Sequence, residues 1–153
     1  MLKLNRIVLP TDFSDASLQA GEYACELASR FGAAVDVLFV LESPAVAMPS
    51  PGSPLPEVLL AEWHRQGDVQ LKDWMAEELG KLPRVHRVLK EGTAYVEIVR
   101  YAKEQDADLI VIGTHGRSGL AHALMGSVAE RVVRKAPCPV LTVRPAGHQF
   151  VMP

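Results

Sequence analysis

Apolar positions along this chain follow two rhythms that alternate from one end to the other. Residues 5–10, NRIVLP, form a short apolar run closed by proline and read as a strand. Ser14 then offers a cap for a helix reaching about Arg30. Leu18, Ala24, Cys25, Ala28 and Phe31 recur there at helical spacing, and Gly32 ends the segment. Residues 33–41, AAVDVLFVL, are almost continuously apolar, as expected of a strand covered on both faces. Residues 43–56 are rich in proline and serine and read as a loop. From about Glu57 helical spacing returns. Leu60, Trp63, Leu71, Trp74, Met75 and Leu79 fall on one side, Lys72, Asp73, Glu77 and Glu78 on the solvated side, and Gly67 interrupts the pattern.

Residues 85–89 give a third strand. Thr93 can cap a third helix with Tyr95, Ile98, Val99 and Ala102 inward. Residues 108–112 give the fourth strand, 127–135 the fourth helix and 139–143 the fifth strand, with a tail from residue 145. Strand and helix thus alternate throughout. The economical architecture is α/β: a single-domain, doubly wound, five-stranded parallel sheet over residues 1–144, with helices on both faces and right-handed crossovers. Ligands of such sheets bind outside the carboxyl ends of the strands, where the strand order reverses. Thr11 and Asp12 follow the first strand, Val40 ends the second and Gly113 follows the fourth, so these distant segments can converge on one crevice.

Composition narrows the function. A chain of 153 residues with 48% apolar and 22% charged residues suits one soluble domain, expected in the cytoplasm. A net charge of −2 argues against a nucleic-acid binder that works by bulk charge, and the apolar runs are too short to cross a bilayer. Cys25 and Cys138 belong to no CxxC pair and read as small, partly buried thiols. His64, His86, His122 and His148 are scattered without metal-site spacing.

The segment with chemical content is residues 113–127, GTHGRSGLAHALMGS, between an apolar strand and a helix. Glycines let a backbone approach an anion closely, and a helix start supplies free N–H groups at the positive end of the dipole. Gly113 and Gly116 read equally as turn glycines with unusual dihedrals, and Gly119 as flexible loop. His115 and Arg117 are open to phosphate contact or to a solvated surface role. Residues 127–130, SVAE, form a capping box in which Ser127 and Glu130 satisfy each other's backbone donors. The N–H groups of Ser127, Val128 and Ala129 are better phosphate donors than the Ser127 hydroxyl. Asp12 can serve as a carboxylate favoured by the dipole of the helix that follows it.

Taken in order, these segments resemble the universal stress protein family over residues 3–144. The resemblance rests on 7–14 (IVLPTDFS), Phe39-Val40, Glu91-Gly92-Thr93, 106–113 (DADLIVIG) and 136–143 (APCPVLTV). ATP-binding members are similar to one another in a G-x2-G-x9-G-(S/T) spacing, which Gly113, Gly116, Gly126 and Ser127 satisfy. The resemblance implies strand order 3-2-1-4-5 and bound ATP with Mg2+ or Mn2+ carried by the phosphates. It further implies that Pro10, Thr11, Asp12, Val40, Gly113, Thr114, His115, Gly116, Arg117, Gly126, Ser127, Val128 and Ala129 hold the nucleotide. Asp12 would meet the ribose or the phosphate-bound metal, and Val40 would meet adenine through its main chain. A homodimer through residues 140–143 is also implied, and it would cover an otherwise bare apolar edge. The expected role is regulatory, in stress response. A slow ATPase or other ATP-using enzyme, or an interaction module without nucleotide, is the alternative. There is no Walker lysine, no nucleophile triad, and no GxGxxG after the first strand.

Overall fold

The computed structural model describes residues 3–42, 57–114, 125–145 and 147. Its strands are β1 (Arg6–Thr11), β2 (Ala34–Leu41), β3 (Val85–Glu91), β4 (Leu109–Gly113) and β5 (Val140–Val143). They form one parallel sheet in the order β3-β2-β1-β4-β5. The helices are α1 (Asp15–Phe31), α2 (Glu57–Asp73), α3 (Ala76–Gly80), α4 (Ala94–Glu104) and α5 (Ser127–Lys135). The loop 43–56 and most of the tail lie outside the described residues.

Alternation within the strands divides the core in two. Ile7, Leu9, Val35, Val37 and Val111 face Ala20, Ala24 and Ala28 of α1, together with Leu71, Met75 and Leu79. Val8, Leu38, Ile110 and Ile112 face Ile98 and Ala102 of α4 and Ala129 and Val132 of α5. Helices therefore cover both faces, which is what the nearly unbroken apolar strands require. Helix α1 buries a stripe of small residues (Ala16, Ala20, Gly21, Ala24 and Ala28), which brings it close to the sheet. Leu18 and Phe31, expected inward from their spacing, are 40% and 49% exposed. The small-residue stripe takes the sheet-facing side instead. Ser14 caps this helix by accepting from the Ser17 N–H, and Gly32 ends it in the left-handed conformation at φ 68°.

The break expected at Gly67 falls eight residues later. Helix α2 runs straight through Gly67 because that position is buried against β2 and β3. A Cβ there would lie 2.8 Å from Leu89 and 3.1 Å from Phe39, both side chains. The chain turns instead at Met75, φ 49°, and Arg87 of β3 donates to the carbonyls of Leu71 and Trp74 at 2.9 and 3.1 Å. Those bonds satisfy carbonyls that the ending helix leaves open.

Among the described residues one charged group is wholly buried. Asp36 of β2 is 0% exposed and accepts from Arg6 (2.8 Å), His86 (2.7 Å) and Tyr101 (3.1 Å), which come from β1, β3 and α4. Arg6 is held in turn by Gln105 at 3.1 Å. Burial, and after it the Asp36 charge, push the Tyr101 phenol up to about 12. A raised folded value favours the protonated phenol, so its stabilising share is intact below the ordinary tyrosine range. That share is lost as pH rises toward the folded value. Denaturant midpoints between pH 9 and 12 (roughly the window this linkage sets) should fall more steeply for the wild type than for Tyr101→Phe. Parallel curves would place the ionisation elsewhere.

Candidate functional site

The sheet opens where its order reverses. Strand β1 pairs with β2 as far as Thr11 and Phe39, but its register with β4 covers only Ile7–Leu109 and Val8–Ile110. Beyond Val8 the pairing with β4 stops, since the next β1 position that would donate to β4 is Pro10, which has no N–H. Peptide groups of a strand point alternately to its two neighbours. On β2, Ala34 N–H donates to Asn5 of the β1 side, whereas Val35 N–H and Leu41 C=O bond Arg84 and Gly92 on the β3 side. The Val40 N–H therefore meets the Thr11 C=O in the last rung of the β1–β2 pairing, and the Val40 C=O turns toward the side where β1 has already ended. On β4, Ile110 and Thr114 donate to Pro139 and Val143 on the β5 side. The peptide of Gly113 thus turns toward the same gap.

A cavity of about 440 Å³ occupies this gap. Pro10, Thr11 and Asp12 contribute from β1 and its turn, Val40 from β2, Gly113 from the end of β4 and Thr114 from just after it. Gly126, Ser127, Val128 and Ala129 contribute from the start of α5. Every candidate residue within the described part of the chain thus borders one space. His115, Gly116, Arg117 and Gly119 lie outside the described residues.

The turn after β1 is held by its own side chains. Thr11 Oγ1 accepts from the Phe13 N–H at 3.0 Å and donates to Ser17 Oγ at 3.1 Å. Asp12 Oδ1 accepts from the Ser14 N–H at 3.0 Å. These bonds fix Phe13 at φ 64°, a conformation that costs a bulky residue about 1–2 kcal/mol. The Phe13 ring packs on Phe39 with centroids 4.6 Å apart and on Trp74 at 6.4 Å. Asp12 thus has a structural bond as well as a place at the cavity wall.

Two readings of the glycine segment are corrected. Gly113 is a strand residue and has no unusual dihedral. Its need is space: a Cβ would stand 2.7 Å from the carbonyl carbon of Ala16 and 2.8 Å from its oxygen. The expected capping box is absent as well. The cap of α5 is Gly126 at φ −65°, with no side-chain cap bond, and Ser127 is the first helical residue. The box spacing is therefore off by one, and Glu130 pairs with Arg134 at 2.9 Å instead. The first intrahelical bond of α5 runs from Glu130 N–H to Gly126 C=O. The amides of Ser127, Val128 and Ala129 precede it and have no carbonyl within the helix to meet.

Sequence reasoning missed Ser17, Glu42, Ala94 and Ile98, which also border the cavity. Thr93 does begin α4, but makes no side-chain cap bond. Glu42 does so in its place, accepting from the Ala94 N–H at 2.6 Å. A carboxylate one residue past a strand gives no periodic signal, and only the fold brings it to the helix. Among the described lining residues Asp12 and Glu42 are the charged ones, and both are acidic. The thiols of Cys25 and Cys138 are both raised by burial, and both stand apart from the cavity wall.

A doubly wound parallel sheet with a cavity at its reversal point is a ligand-binding α/β architecture. The chain belongs to the universal stress protein family, whose model matches residues 3–144. A universal stress protein of Methanocaldococcus jannaschii is 45% identical over 141 residues, covering 91% of this chain and 81% of the relative. The solved structure of universal stress protein UspA from Lactobacillus plantarum has TM-score 0.80 and 27% identity. It covers 94% of this chain and 100% of that one. A universal stress protein from Archaeoglobus fulgidus, solved in complex with dAMP, has TM-score 0.60 and 25% identity. It covers 94% and 99% of the two chains.

Gly113→Ala should lower stability by about 1–3 kcal/mol, the range for overpacking a tight contact. The clash is with helix backbone, which cannot rotate away. Urea unfolding checks this, and an unchanged midpoint would show that α1 can retreat freely.

Proposed function

We propose that this protein binds ATP with a divalent cation in the crevice between β1 and β4 and acts as a cytoplasmic regulatory stress protein rather than as an enzyme. The observation that carries the reading is the start of α5. Three successive amides without helical partners border a cavity of nucleotide size and offer the positive end of a helix dipole to phosphate. The Val40 carbonyl presents an acceptor at the opposite wall, suited to the amino group on the edge of an adenine. The relative from Archaeoglobus fulgidus in complex with dAMP supports an adenine nucleotide. Asp12 and Glu42 make the described wall acidic, so a triphosphate needs Mg2+ or Mn2+ to enter, with Asp12 placed to meet that ion or the ribose. His115, Gly116 and Arg117 complete the proposed phosphate segment from the sequence pattern. Among the described residues no helix is long and apolar enough to cross a membrane.

Two variants at one position separate backbone from side chain. Proline is well tolerated as the first residue of a helix, and the extended Gly126 before it suits proline. Ser127→Pro removes one amide donor while α5 persists, whereas Ser127→Ala removes only the hydroxyl. Calorimetry on nucleotide-stripped protein with magnesium should show ATP weakened about tenfold to a hundredfold by Ser127→Pro, the worth of one hydrogen bond to a charged group. Ser127→Ala should stay within about threefold of the wild type, since only a neutral hydroxyl is lost. No heat from wild-type protein with ATP at millimolar concentration would remove the reading.

We further propose a homodimer through β5. Val140, Leu141 and Thr142 are only partly buried on this edge strand, which pairs with β4 alone. Leu141→Asp should move sedimentation toward monomer with the helical content unchanged, and an undisturbed dimer would direct attention to another surface.

A further inference from the structure

Three helices, α1, α4 and α5, begin at the carboxyl edge of the sheet beside the cavity, and each brings a partial positive charge there. Two of them are closed from within. Ser14 Oγ accepts from Ser17 N–H at 3.3 Å on α1, and the Glu42 carboxylate accepts from Ala94 N–H at 2.6 Å on α4. Helix α5 has no side-chain cap. The cavity is therefore polarised. An anionic group is drawn to α5, while the α4 wall already carries a carboxylate that repels one.

Glu42 is well placed to do more than cap. Leu41 C=O accepts from Gly92 N–H at 3.2 Å, which ties the end of β2 to the turn before α4. Glu42 thus sits at an exposed rim, two residues past the Val40 peptide, within the cavity wall. An ionised carboxylate is an acceptor only and has about four lone-pair directions, of which the Ala94 N–H takes one. The remaining directions favour a neutral group rich in donors and disfavour an oxygen.

We infer that Glu42 is a specificity-determining residue, accepting a hydrogen bond from the exocyclic amino group of adenine and rejecting 6-oxo purines. This rests on the adenine-nucleotide reading above. The adenine amino group has two hydrogens, so one can meet the Val40 carbonyl and the other Glu42. Hypoxanthine has the same outline but presents an oxygen at that position, facing a carboxylate.

The test compares ATP with inosine triphosphate, both with magnesium, on the full nucleotide-stripped chain by calorimetry. The wild type should prefer ATP by about a hundredfold or more, and Glu42→Gln should reduce that ratio by about tenfold, the change of one charge-assisted hydrogen bond, with the remainder held by the Val40 carbonyl. The glutamine carbonyl can keep the Ala94 bond while its amide turns a donor to the base. Glu42→Asp keeps the charge but withdraws it by one methylene, and should also narrow the ratio. A role confined to capping would weaken both nucleotides together and leave the ratio as it was, which would overturn the assignment. Wild-type protein that binds neither nucleotide would instead overturn the adenine-nucleotide reading itself.

Discussion

The organising constraint in this protein is that every buried peptide N–H and C=O needs a partner. The parallel sheet meets that need along its length and fails at one place. Strand β1 keeps β2 company to Thr11 and Phe39, yet has register with β4 only to Val8 and Ile110. Past that point the carbonyl of Val40 and the peptide of Gly113 face a gap, and three helix starts converge on the same edge. The turn after β1 is answered by Thr11 and Asp12, and the start of α4 by Glu42. The first amides of α5 have no partner within their helix, and a ligand with oxygens to offer suits them. The cavity is thus the place where secondary structure runs out of partners.

Close packing on the α1 face keeps that place narrow. The alanine and glycine stripe of α1 brings the helix near enough that Gly113 cannot carry a Cβ. The same approach sets the sharp turn at Phe13, whose strained backbone is offset by contact with Phe39 and Trp74. Phe39 itself borders the cavity, so the aromatic group links the α2–α3 break to the site. Gly67, lodged against Phe39 and Leu89, lets α2 lie close over the same region.

Much of this was legible in the sequence, and the failures have physical causes. β1, β2 and β4 were clear because strands buried on both faces are almost purely apolar, and the alternation of strands with helices defined the architecture. Convergence of Thr11, Val40 and Gly113 followed from the topology alone. The errors concern distances that a pattern does not carry. Gly113 and Gly67 have the same letter as a turn glycine, but each serves a close contact with an element far away in sequence. Leu18 and Phe31 keep helical spacing yet lie exposed, because smaller residues hold the sheet-facing stripe of α1. The capping box at residues 127–130 failed by a single residue, since Gly126 took the cap and Glu130 found Arg134. Glu42 was invisible because its partner, Ala94, is 52 residues away.

Asp36 couples the amino end of β2 to the crevice at its carboxyl end. A fully buried carboxylate is weak evidence for stability, since its desolvation opposes what its partners return. Its geometric consequence is firmer. Asp36 faces the α4 side, where Arg6, His86 and Tyr101 supply donors from three elements. A slip of β2 by one residue would turn its side chain onto the other face, against the alanines and leucines of the α1 cluster. That cluster is apolar and offers the carboxylate no charge. The same slip would reverse every peptide of β2 and turn Val40 toward β3, away from the cavity. Val40 lies four residues beyond Asp36 on the same parity, so the buried charge at the amino end of the strand disfavours any register in which the peptide at the carboxyl end faces away from the crevice.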